Sequence, residues 1–539
     1  MKYDLTRPPD LTHEKRIGLT RTQRPEYVSL LPPCNRACPA GENIQAWLAL
    51  AQEKHYKAAW QKLIEENPLP AVHGRVCYHP CENDCNRERL DSAVSIHAVE
   101  RFLGDRAVKR EWKVKWDAPP SGKRILVVGA GPSGLSAAYH LTRMGHSVEI
   151  HEAGPRAGGM MHFGIPAYRM PRDILDAEIR RIADMGVRIV LNHKVEDVQE
   201  EMRSGHFDAV FVAIGAHLSK RIDIPARDAG KIIDAVSFLE DVEAGTPPLL
   251  GRRVAVYGGG NTAMDAARVA KRLGADEALI IYRRDRGHMP AHAFEADDAI
   301  EEGVQINWLR TIREIEQTKF TVEIMEIDAH GRPVGTGRME TLEADSLILA
   351  LGQNTDITLL RDVPGIEFDG DTVIVDTHMM TGHAGIFAGG DMVPSERTVT
   401  IATGHGKKAA RNIDSWLRGE QFTEPQPHDL ASFEKLHLWY FTDASQRPQD
   451  NLEPGRRHTG FEEVVRGLKK KDAVFEARRC LSCGNCFECD GCFGACPEQA
   501  ISKRGRGKGY AVDFDRCTGC GICYEQCPCH AIEMVPEPA

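Results

Sequence analysis

Cysteines are concentrated at the two ends of this 539-residue chain, and none of its 16 cysteines lies between Cys85 and Cys480. Near the carboxyl terminus, two runs share the spacing Cys-x2-Cys-x2-Cys-x3-Cys-Pro, one from Cys486 and the other from Cys517. This spacing is typical of a pair of [4Fe–4S] clusters, in which three thiolates of each run hold one cluster and the fourth ligates the other. Zinc is disfavoured because its sites use CxxC pairs separated by a longer loop. The predicted ligands are Cys486, Cys489, Cys492 and Cys527 for one cluster and Cys517, Cys520, Cys523 and Cys496 for the other.

A glycine-rich turn with the pattern Gly-x-Gly-x-x-Gly follows the apolar run that starts at Arg124. Gly129 permits the turn, Gly131 lets a pyrophosphate approach the backbone, and Gly134 lets the next helix pack on the strand. The unpaired N–H groups at the start of that helix favour phosphates. Glu152 ends the next predicted strand, where a carboxylate binds a ribose hydroxyl. The sequence therefore predicts a dinucleotide site here.

A second copy of this pattern begins at Arg253. Its following predicted strand ends in Arg283 and Arg284, where an NAD site would carry Asp or Glu. A guanidinium group binds the 2′-phosphate of NADP with two hydrogen bonds, so we expect NADP(H), while the neighbouring Asp285 leaves NAD(H) open. The residues predicted to bind this dinucleotide are Gly258, Gly260, Asn261, Thr262, Ala263, Arg283 and Arg284.

A third glycine-rich segment contains Gly390 and Asp391, and a predicted helix over 398–413 follows it. The segment resembles the second FAD-binding sequence of two-dinucleotide flavoproteins, where the aspartate binds the ribityl chain and the helix amino terminus faces the isoalloxazine ring. Flavoproteins of the thioredoxin reductase type share this plan and reduce a cysteine pair. Because residues 86–479 contain no cysteine, electrons must leave this flavin by another route.

Composition excludes several classes of protein. The chain has 68 Lys and Arg against 78 Asp and Glu residues, for a formal net charge of −10, so no basic excess exists to bind nucleic acid. Apolar runs stay well below the roughly 18 residues that span a bilayer. The first residues are polar and lack the apolar core of a signal peptide. We therefore expect a cytoplasmic protein without a membrane span and without a nucleic-acid partner.

Helix-length segments and apolar strand-like runs alternate from about residue 123 to about residue 418, which predicts an α/β region. The cysteine-rich carboxyl-terminal segment is too short for an ordinary hydrophobic core and needs another stabilising element, such as a bound metal. The predicted order is a helical [4Fe–4S] domain (1–115), a Rossmann-like FAD-binding domain (123–249 and 346–420), a Rossmann-like NAD(P)-binding domain inserted into it (250–345), a linker (421–475) that ends in a helix around Phe461–Lys471, and an α+β domain like bacterial ferredoxins (476–539).

Several longer motifs carry a family resemblance. From Cys34 to about Gly419 the chain resembles the small (β) chain of glutamate synthase, the electron-input half of dihydropyrimidine dehydrogenase and the flavin subunits of bifurcating ferredoxin:NADP oxidoreductases. This resemblance adds Gly159 and Arg169 to the residues expected at the FAD site. The motifs that carry it are Cys34-x3-Cys38-Pro39, Asn67-Pro-Leu-Pro, Gly74-Arg-Val-Cys77, Gly158-Gly159, Gly164-Ile-Pro-Ala-Tyr-Arg169-Met-Pro, Gly258-Gly-Gly-Asn-Thr-Ala-Met-Asp265 and Tyr282-Arg-Arg.

The resemblance also implies two [4Fe–4S] clusters near the amino terminus, one of them with a non-cysteine ligand. Carried over to this chain, the ligands of that cluster are Cys38, Cys77, Cys81 and Glu100. For the other cluster the chain departs from the family, because residues 27–33 lack the usual Arg-Cys-x-x-Cys pair. Only Cys34 and Cys85 remain for that site.

A surplus cysteine pair stands just before the carboxyl-terminal runs. We hypothesise that Cys480 and Cys483 complete the site of Cys34 and Cys85, either within one chain or from a second copy. Four clusters then use one glutamate and every cysteine except Cys529. The alternative is that one amino-terminal cluster has been lost and the chain holds three.

These features predict an electron-transfer flavoprotein subunit that passes electrons between NAD(P)H, FAD and [4Fe–4S] clusters, to or from a catalytic partner of the 2-oxoacid:acceptor oxidoreductase or glutamate synthase type. No catalytic side chain is required, because the cofactors carry the chemistry. A hetero-oligomer is expected on this prediction. The alternatives are a free-standing NADPH:ferredoxin oxidoreductase and a non-enzymatic iron–sulfur scaffold.

Overall fold

Two parallel five-stranded sheets form the centre of the computed structural model, which describes residues 21–220, 224–227 and 231–538. Helices cover the first sheet, and its strands are apolar runs because both faces are buried: Ile125, Leu126 and Val127 are fully enclosed. In order across the first sheet, the strands are Ile386–Ala388, Ala209–Val212, Arg124–Val128, Ser147–His151 and Arg188–Val190. The helices of this part are Pro132–Arg143, Met160–Phe163, Arg172–Ala183, Val198–Ser204 and Val399–Leu417.

The second sheet has the same parallel pattern. Its strands at Lys231–Asp234 and Ser346–Leu349 lie outside the range 250–345 predicted for the inserted domain. Ser346–Leu349 pairs with Arg253–Tyr257, and Lys231–Asp234 pairs with Ser346–Leu349. Both strands are short, and a local sequence pattern carries no information on which strands pair. Across the sheet the strands are Gln305–Trp308, Glu277–Tyr282, Arg253–Tyr257, Ser346–Leu349 and Lys231–Asp234, and the helices are Ala235–Glu243, Asn261–Arg272 and Ala293–Glu301, with a 3-10 turn at Arg286–His288.

A third, mainly antiparallel sheet packs on one face of the second. Its apolar residues Ile312, Phe320 and Val322 join a buried cluster with Ala255 and Ile281 of the second sheet. This sheet therefore covers a face that helices cover in the first sheet. Its strands are Pro333–Glu343, Lys319–Ile327, Arg310–Glu316 and Ala226–Arg227, and two-stranded pairs lie nearby at Leu218–Ser219 with Gln353–Asn354 and at Phe368–Asp369 with Thr372–Val373.

The amino-terminal helices pack closely on one another through glycine. A Cβ on Gly104 would lie 2.4 Å from the backbone nitrogen of Ala71, and a Cβ on Gly74 would lie 2.4 Å from the Cβ of Arg101. The helices Pro70–Val76 and Ile96–Lys109 therefore cross with backbone against backbone, which brings their cysteine-rich flanks together. The helices of this part are Pro33–Ala37, Ile44–Gln52, Tyr56–Leu63, Pro70–Val76, Pro80–Asn83 and Ile96–Lys109, with a 3-10 turn at Asn86–Arg89.

The segment after residue 420 wraps back over the rest of the chain. The predicted helix around Phe461–Lys471 is wrong, because helix begins only at Lys470 and ends at Arg478. Residues before it bond to other parts of the chain instead: Val464 N donates to Tyr168 O at 3.0 Å, which satisfies a backbone group that a helix would otherwise pair locally. The remaining elements here are helices Pro454–Arg457, Gly491–Ala495 and Ile522–Glu525, 3-10 turns Phe433–Lys435 and Leu438–Tyr440, and strands Ile501–Lys503 and Tyr510–Val512.

The start of the described chain pairs with its end. Strand Gln23–Tyr27 runs antiparallel to Ile532–Pro536, and Arg21 forms an ion pair with Glu537. A few residues on, Leu30 N donates to the carbonyl oxygen of the glycine that follows the Cys480 and Cys483 pair, at 2.9 Å. These bonds carry the amino-terminal cysteines to the carboxyl-terminal ones, as a site shared by the two cysteine groups requires. No local sequence pattern predicts the strand pairing itself.

Among the described residues, every helix is too short or too polar to cross a lipid bilayer.

A buried ion-pair joint connects the two parallel-sheet regions. Arg169 Nη1 lies 2.7 Å from Asp265 Oδ2, and its other terminal nitrogen contacts Glu295. Tyr168, fully buried, donates to Asp265 Oδ1 at 3.1 Å and stacks beneath the guanidinium of Arg272, 3.7 Å from the ring centre. Arg169 is thus bound to carboxylates of the second region, and its expected role at the FAD site stays a prediction.

Replacement of Arg169 by glutamine tests this joint. Loss of the guanidinium leaves Asp265 buried without its cation and Glu295 with only Arg268, 3.5 Å away. Breaking a buried pair from one side costs about 3–5 kcal/mol of unfolding free energy. We expect Arg169→Gln to lower the thermal unfolding midpoint of the cofactor-loaded protein while the folded fraction keeps its flavin.

The matched control is Arg203→Gln, which removes an ion pair with Glu200 in which both side chains are more than 60% exposed. This change should alter the stability by less than about 1 kcal/mol. Loss of flavin from an Arg169→Gln protein of unchanged stability would assign Arg169 to the FAD site instead.

Candidate functional site

The first glycine turn joins the central strand of the first sheet to helix Pro132–Arg143. Gly129 has a φ of +102°, and a Cβ there would lie 2.5 Å from the carbonyl oxygen of Ala213. A Cβ on Gly134 would lie 2.0 Å from the Gly129 carbonyl oxygen, whereas the Cβ position of Gly131 has no described atom within 4 Å. The turn is therefore tight where strand and helix pack, and open where a pyrophosphate would meet the helix N–H groups.

Glu152 is held over this turn by backbone hydrogen bonds. Its Oε2 accepts from Ala130 N at 2.8 Å, and its Oε1 accepts from Gly154 N at 2.8 Å. Gly159 closes the turn from the other side, since a Cβ there would lie 3.0 Å from the Gly131 Cα. The Glu152 carboxylate therefore lies at the place where this fold binds an adenosine ribose.

The turn at Gly390 and Asp391 packs against the same helix. A Cβ on Gly390 would lie 3.1 Å from the Ser133 Cβ, and the predicted helix after the turn is confirmed as Val399–Leu417. Burial raises the pKa of Asp391 to about 6, partly offset by the charge of Arg397. A desolvated carboxylate at this point suits a hydroxyl donor, and the residues present therefore fit an FAD molecule extended from one glycine turn to the other.

The second glycine turn repeats the geometry of the first. A Cβ on Gly258, whose φ is +152°, would lie 2.2 Å from the carbonyl oxygen of Ala350, while the Cβ position of Gly260 has no described atom within 4 Å. The helix Asn261–Arg272 starts at once, so the predicted residues Thr262 and Ala263 lie in its first turn. This arrangement again leaves helix N–H groups facing open space, which fits a second dinucleotide.

Asn261 also contacts the iron–sulfur part of the chain. Its Nδ2 donates to the Tyr78 hydroxyl at 2.7 Å, and its Oδ1 accepts from His292 N at 3.0 Å. The rings of Tyr78 and His292 stack with their centres 3.6 Å apart. Since Tyr78 directly follows Cys77, the amino-terminal cysteines lie against the second dinucleotide site, a contact with no signal in the sequence.

Arg283 and Arg284 follow the strand Glu277–Tyr282 in different settings. Arg283 is exposed, whereas the Nε of Arg284 is buried and has no hydrogen-bond partner among the described residues. Asp285 is engaged locally, because its Oδ1 accepts from His288 N at 3.0 Å and lies 2.7 Å from His288 Nδ1. A guanidinium group at this end of the strand suits an anion such as a 2′-phosphate.

At the carboxyl terminus, the thiols predicted for one cluster share a pocket. Cys496, Cys517, Cys520 and Cys523 line it together with small and apolar neighbours. Backbone N–H groups point at two of these sulfurs, since Gly519 N donates to Cys517 Sγ at 3.4 Å and Ala500 N donates to Cys496 Sγ at 3.3 Å. Four sulfur donors around one pocket fit a [4Fe–4S] cluster.

The other carboxyl-terminal set converges beside Tyr27. Burial, followed by the neighbouring thiols, raises the pKa of Cys486 to about 11. Tyr27, from the paired amino-terminal strand, places its hydroxyl 3.2 Å from Cys492 Sγ. The spare Cys529 is buried with its Sγ 3.8 Å from Cys527 Sγ, which makes it a neighbour of this set. The thiols that influence the pKa of Cys486 are Cys489, Cys492 and Cys527.

Thiols from both ends of the chain line a further pocket. Cys34, Cys85, Cys480 and Cys483 all face it, so one chain supplies the four groups without a second copy. Burial, then the neighbouring thiols, raise the pKa of Cys34 well above its usual range. Neutral thiols are therefore expected there in the absence of metal, and only bound iron would favour the thiolates. The donor set fits a [4Fe–4S] cluster.

The remaining amino-terminal set lies next to the flavin-site helix. Burial raises the pKa of Cys77, and the neighbouring side chain of Thr400, in the first turn of Val399–Leu417, partly offsets this. Burial, then the Glu42 charge and in smaller measure those of Glu100 and Cys77, raise the pKa of Cys38 well above its usual range. Cys81 is buried, and its pKa is raised well above its usual range by this burial and then by neighbouring groups that include Cys38 and Cys77. The structure thus gathers Cys38, Cys77, Cys81 and Glu100 in one neighbourhood.

Sequence reasoning missed Glu42 and His73 in this neighbourhood. Their ligand atoms and that of Glu100 lie within 4.8 Å of one another, and all three residues are buried. Asn67 donates to Glu42 Oε1 and to Glu100 Oε1, at 2.8 Å each. His73 instead bonds to Thr403 at 3.0 Å, and burial lowers its pKa to about 3. The sequence signal was the Asn67-Pro motif, whose asparagine turns out to orient both carboxylates.

Comparison with known proteins gives three family matches. Residues 95–204 and 123–406 match the pyridine nucleotide-disulphide oxidoreductase family. Residues 27–112 match the dihydropyrimidine dehydrogenase domain II family with a 4Fe-4S cluster, and residues 485–531 match the 4Fe-4S dicluster domain. The matches therefore cover both dinucleotide sites and both cysteine-rich ends.

Relatives share most of the chain. The beta subunit of the NADP(+)-dependent formate dehydrogenase of Moorella thermoacetica is 36% identical over 84% of this chain and 70% of its own length. The beta subunit of the NADPH-Fe(3+) oxidoreductase of Geobacter sulfurreducens is 33% identical over 84% of this chain and 75% of its own. The small chain of the NADPH glutamate synthase of Escherichia coli is 32% identical over 72% of this chain and 89% of its own. The chain therefore belongs to the pyridine nucleotide-disulphide oxidoreductase family, as an FAD- and NADP-dependent oxidoreductase with [4Fe–4S] domains at both ends.

Proposed function

We propose that this chain is the electron-transfer subunit of a larger oxidoreductase and passes electrons between NADP(H), FAD and four [4Fe–4S] clusters on one side and a catalytic partner subunit on the other. Similar proteins from three bacteria are named as subunits or chains of NADP- or NADPH-dependent enzymes. When bound, FAD exchanges two electrons with a nicotinamide and single electrons with an iron–sulfur cluster. The chain's own residues hold these groups in sequence and need supply no acid or base.

The order of the sites along the molecule supports this function most. Helix Val399–Leu417 connects the flavin-site turn to Cys77 through Thr400. Cys81, in the same set, lies in helix Pro80–Asn83, which packs against the helix Pro33–Ala37 that carries Cys34. The pocket of Cys34 also contains Cys483, and the glycine after Cys483 donates to Cys529 O at 2.6 Å, beside the carboxyl-terminal sets. Each set of thiols therefore adjoins the next, from the flavin region to the far end.

A four-cluster protein requires that iron be bound in the pocket lined by Cys34, Cys85, Cys480 and Cys483, called the mixed pocket below. Its four thiols come from one chain, so we propose that Cys480 and Cys483 complete the site in cis. Asn86 Nδ2 lies 3.5 Å from Cys483 Sγ, and Ser482 N donates to Cys480 Sγ at 3.4 Å. Donors aimed at sulfur are typical of the surroundings of iron–sulfur clusters, whose potentials they tune.

Iron content tests the mixed pocket. Anaerobically prepared protein should contain about 16 iron atoms per chain, at four per cluster. Replacement of Cys483 by alanine should lower this to about 12, because three thiols of one pocket no longer suffice.

Cys529→Ala is the matched control, since Cys529 is buried next to a cluster set but is predicted to bind no iron. It should keep the full iron content. About 12 iron atoms in the unmodified chain, unchanged by Cys483→Ala, would show that the chain holds three clusters.

Arg284 is proposed to select NADP over NAD. A charge-assisted hydrogen bond contributes about 1.5–3 kcal/mol, so Arg284→Gln should raise the KM for NADPH roughly 10- to 100-fold and leave that for NADH nearly unchanged. Dye reduction measured with both nucleotides gives the two constants. The control Arg286→Gln removes an exposed arginine of the same loop that pairs with Asp297. An equal loss with both nucleotides would contradict a role at the 2′-phosphate.

Native purification under nitrogen tests the partner. We expect a larger subunit to co-purify in fixed stoichiometry and to be absent when the interaction is broken by salt. Protein that elutes alone and reduces a ferredoxin with NADPH at a full catalytic rate would instead establish a free-standing NADPH:ferredoxin oxidoreductase.

A further inference from the structure

A histidine at the end of a buried strand has one ring nitrogen without a hydrogen bond. His151, the last residue of Ser147–His151, has a side chain only 7% exposed. Its Nε2 lies 2.9 Å from Glu149 Oε1, so this nitrogen carries the proton and donates to the carboxylate. Its Nδ1 is buried and has no hydrogen-bond partner among the described residues. With the proton on Nε2, the ring presents a lone pair at Nδ1, in a buried position where an unpaired polar atom is costly.

Two further metal-ligating groups face this lone pair. Glu201 Oε1 lies 3.0 Å from His151 Nδ1 and shares a 3.1 Å hydrogen bond with His193 Nε2, whose proton a bound metal ion would displace. One ligand atom from each of the three residues lies within 4.8 Å of the other two. Donor atoms around a tetrahedral zinc ion stand about 3.3 Å apart, at ligand distances near 2.0–2.1 Å, so these separations match a zinc site within small side-chain adjustments.

The residues come from three separate elements. His151 ends a strand, His193 lies in the loop after strand Arg188–Val190, and Glu201 lies in helix Val198–Ser204. The Glu149 carboxylate that orients His151 is itself held through Oε2, 3.3 Å from Arg188 Nη1. A carboxylate that fixes the ring of a ligating histidine is the usual outer support of a zinc site.

An ion pair without metal accounts less well for this geometry. A protonated His151 between Glu149 and Glu201 would direct an Nδ1–H at Glu201, but the 3.0 Å contact lacks hydrogen-bond alignment. The Nδ1 lone pair and the Glu201 oxygen therefore approach each other without a proton on the line between them. A cation bound to both atoms would replace the repulsion between these two electron-rich atoms by attraction.

We infer that His151 Nδ1, His193 Nε2 and Glu201 Oε1 bind one Zn²⁺ ion, with Glu149 as the supporting carboxylate and a water in the fourth position. This site lies apart from every cysteine set and contains no sulfur ligand. Two histidines and one carboxylate are a donor set that zinc takes in proteins.

The ion would brace the adenosine end of the FAD site. His193 N donates to Glu152 O at 2.9 Å, and Glu152 N donates to Val190 O at 2.9 Å. His151 immediately precedes Glu152 in the chain. Zinc therefore ties together the strand end, the loop and the helix around the carboxylate that stands over the first glycine turn.

Zinc uptake by the flavin- and iron-loaded protein tests this site. Protein freed of loosely bound metal with a chelator is given one equivalent of ZnSO₄, desalted under nitrogen, and analysed for zinc, iron and flavin. We expect one zinc per chain, with iron and flavin unchanged. The zinc X-ray absorption spectrum should show only nitrogen and oxygen neighbours, near 2.0–2.1 Å, because sulfur ligands would lie near 2.3 Å.

His193→Gln is the test variant, because its side chain is 42% exposed and its loss leaves the buried core intact. It should retain less than a tenth of the zinc while keeping its iron and flavin. His330→Gln, which removes an exposed histidine in a distant hairpin, should bind zinc as the unmodified chain does. No retained zinc in the unmodified protein, zinc with sulfur neighbours, or equal zinc in the His193→Gln protein would each overturn the assignment.

Discussion

One pocket draws its thiols from both ends of the chain, and this convergence constrains much of the architecture. Cys34 can reach Cys480 and Cys483 only if the amino-terminal segment runs along the carboxyl-terminal domain. Strand Gln23–Tyr27 achieves this by pairing with Ile532–Pro536, the last strand of the described chain. A site that needs four ligands at one point thereby joins parts of the chain that are separated by the whole flavin and nicotinamide region.

The flavin region adjoins the amino-terminal cysteines through one helix. Gly404 of Val399–Leu417 lies so close to the backbone after Cys38 that a Cβ would stand 2.2 Å from the carbonyl oxygen of Pro39. His73 reaches the same helix through Thr403. Because the amino terminus of this helix also faces the turn at Gly390, a single rigid element holds both the flavin-binding turn and the nearest thiols.

The two dinucleotide regions are held together by buried charge. Arg169 and Tyr168 leave the first region and insert among the carboxylates and arginines of the second, where Arg268 and Arg272 pair with Glu302. Such buried pairs contribute orientation more than net stability, since desolvation offsets most of their attraction. In this protein the buried ion pairs fix the orientation of one nucleotide site relative to the other, because the two sites must bring nicotinamide and flavin together.

The sequence by itself determined the chemistry of this protein: the cysteine spacing, the two glycine turns and the motifs shared with relatives are local patterns, and each encodes its cofactor within a few residues. It also placed the strands and helices that follow those turns, because hydrophobic periodicity is local as well. The meeting of Cys34 with Cys483 was a hypothesis from the sequence, but only the tertiary structure placed both in one chain's pocket. Tertiary structure alone decided the other distant contacts: Asn261 with Tyr78, Asn67 between Glu42 and Glu100, and His151 with Glu201. It also overruled the helix expected around Phe461–Lys471, whose backbone finds partners in another region. Such encounters depend on the packing of whole domains, and no stretch of neighbouring residues carries that information.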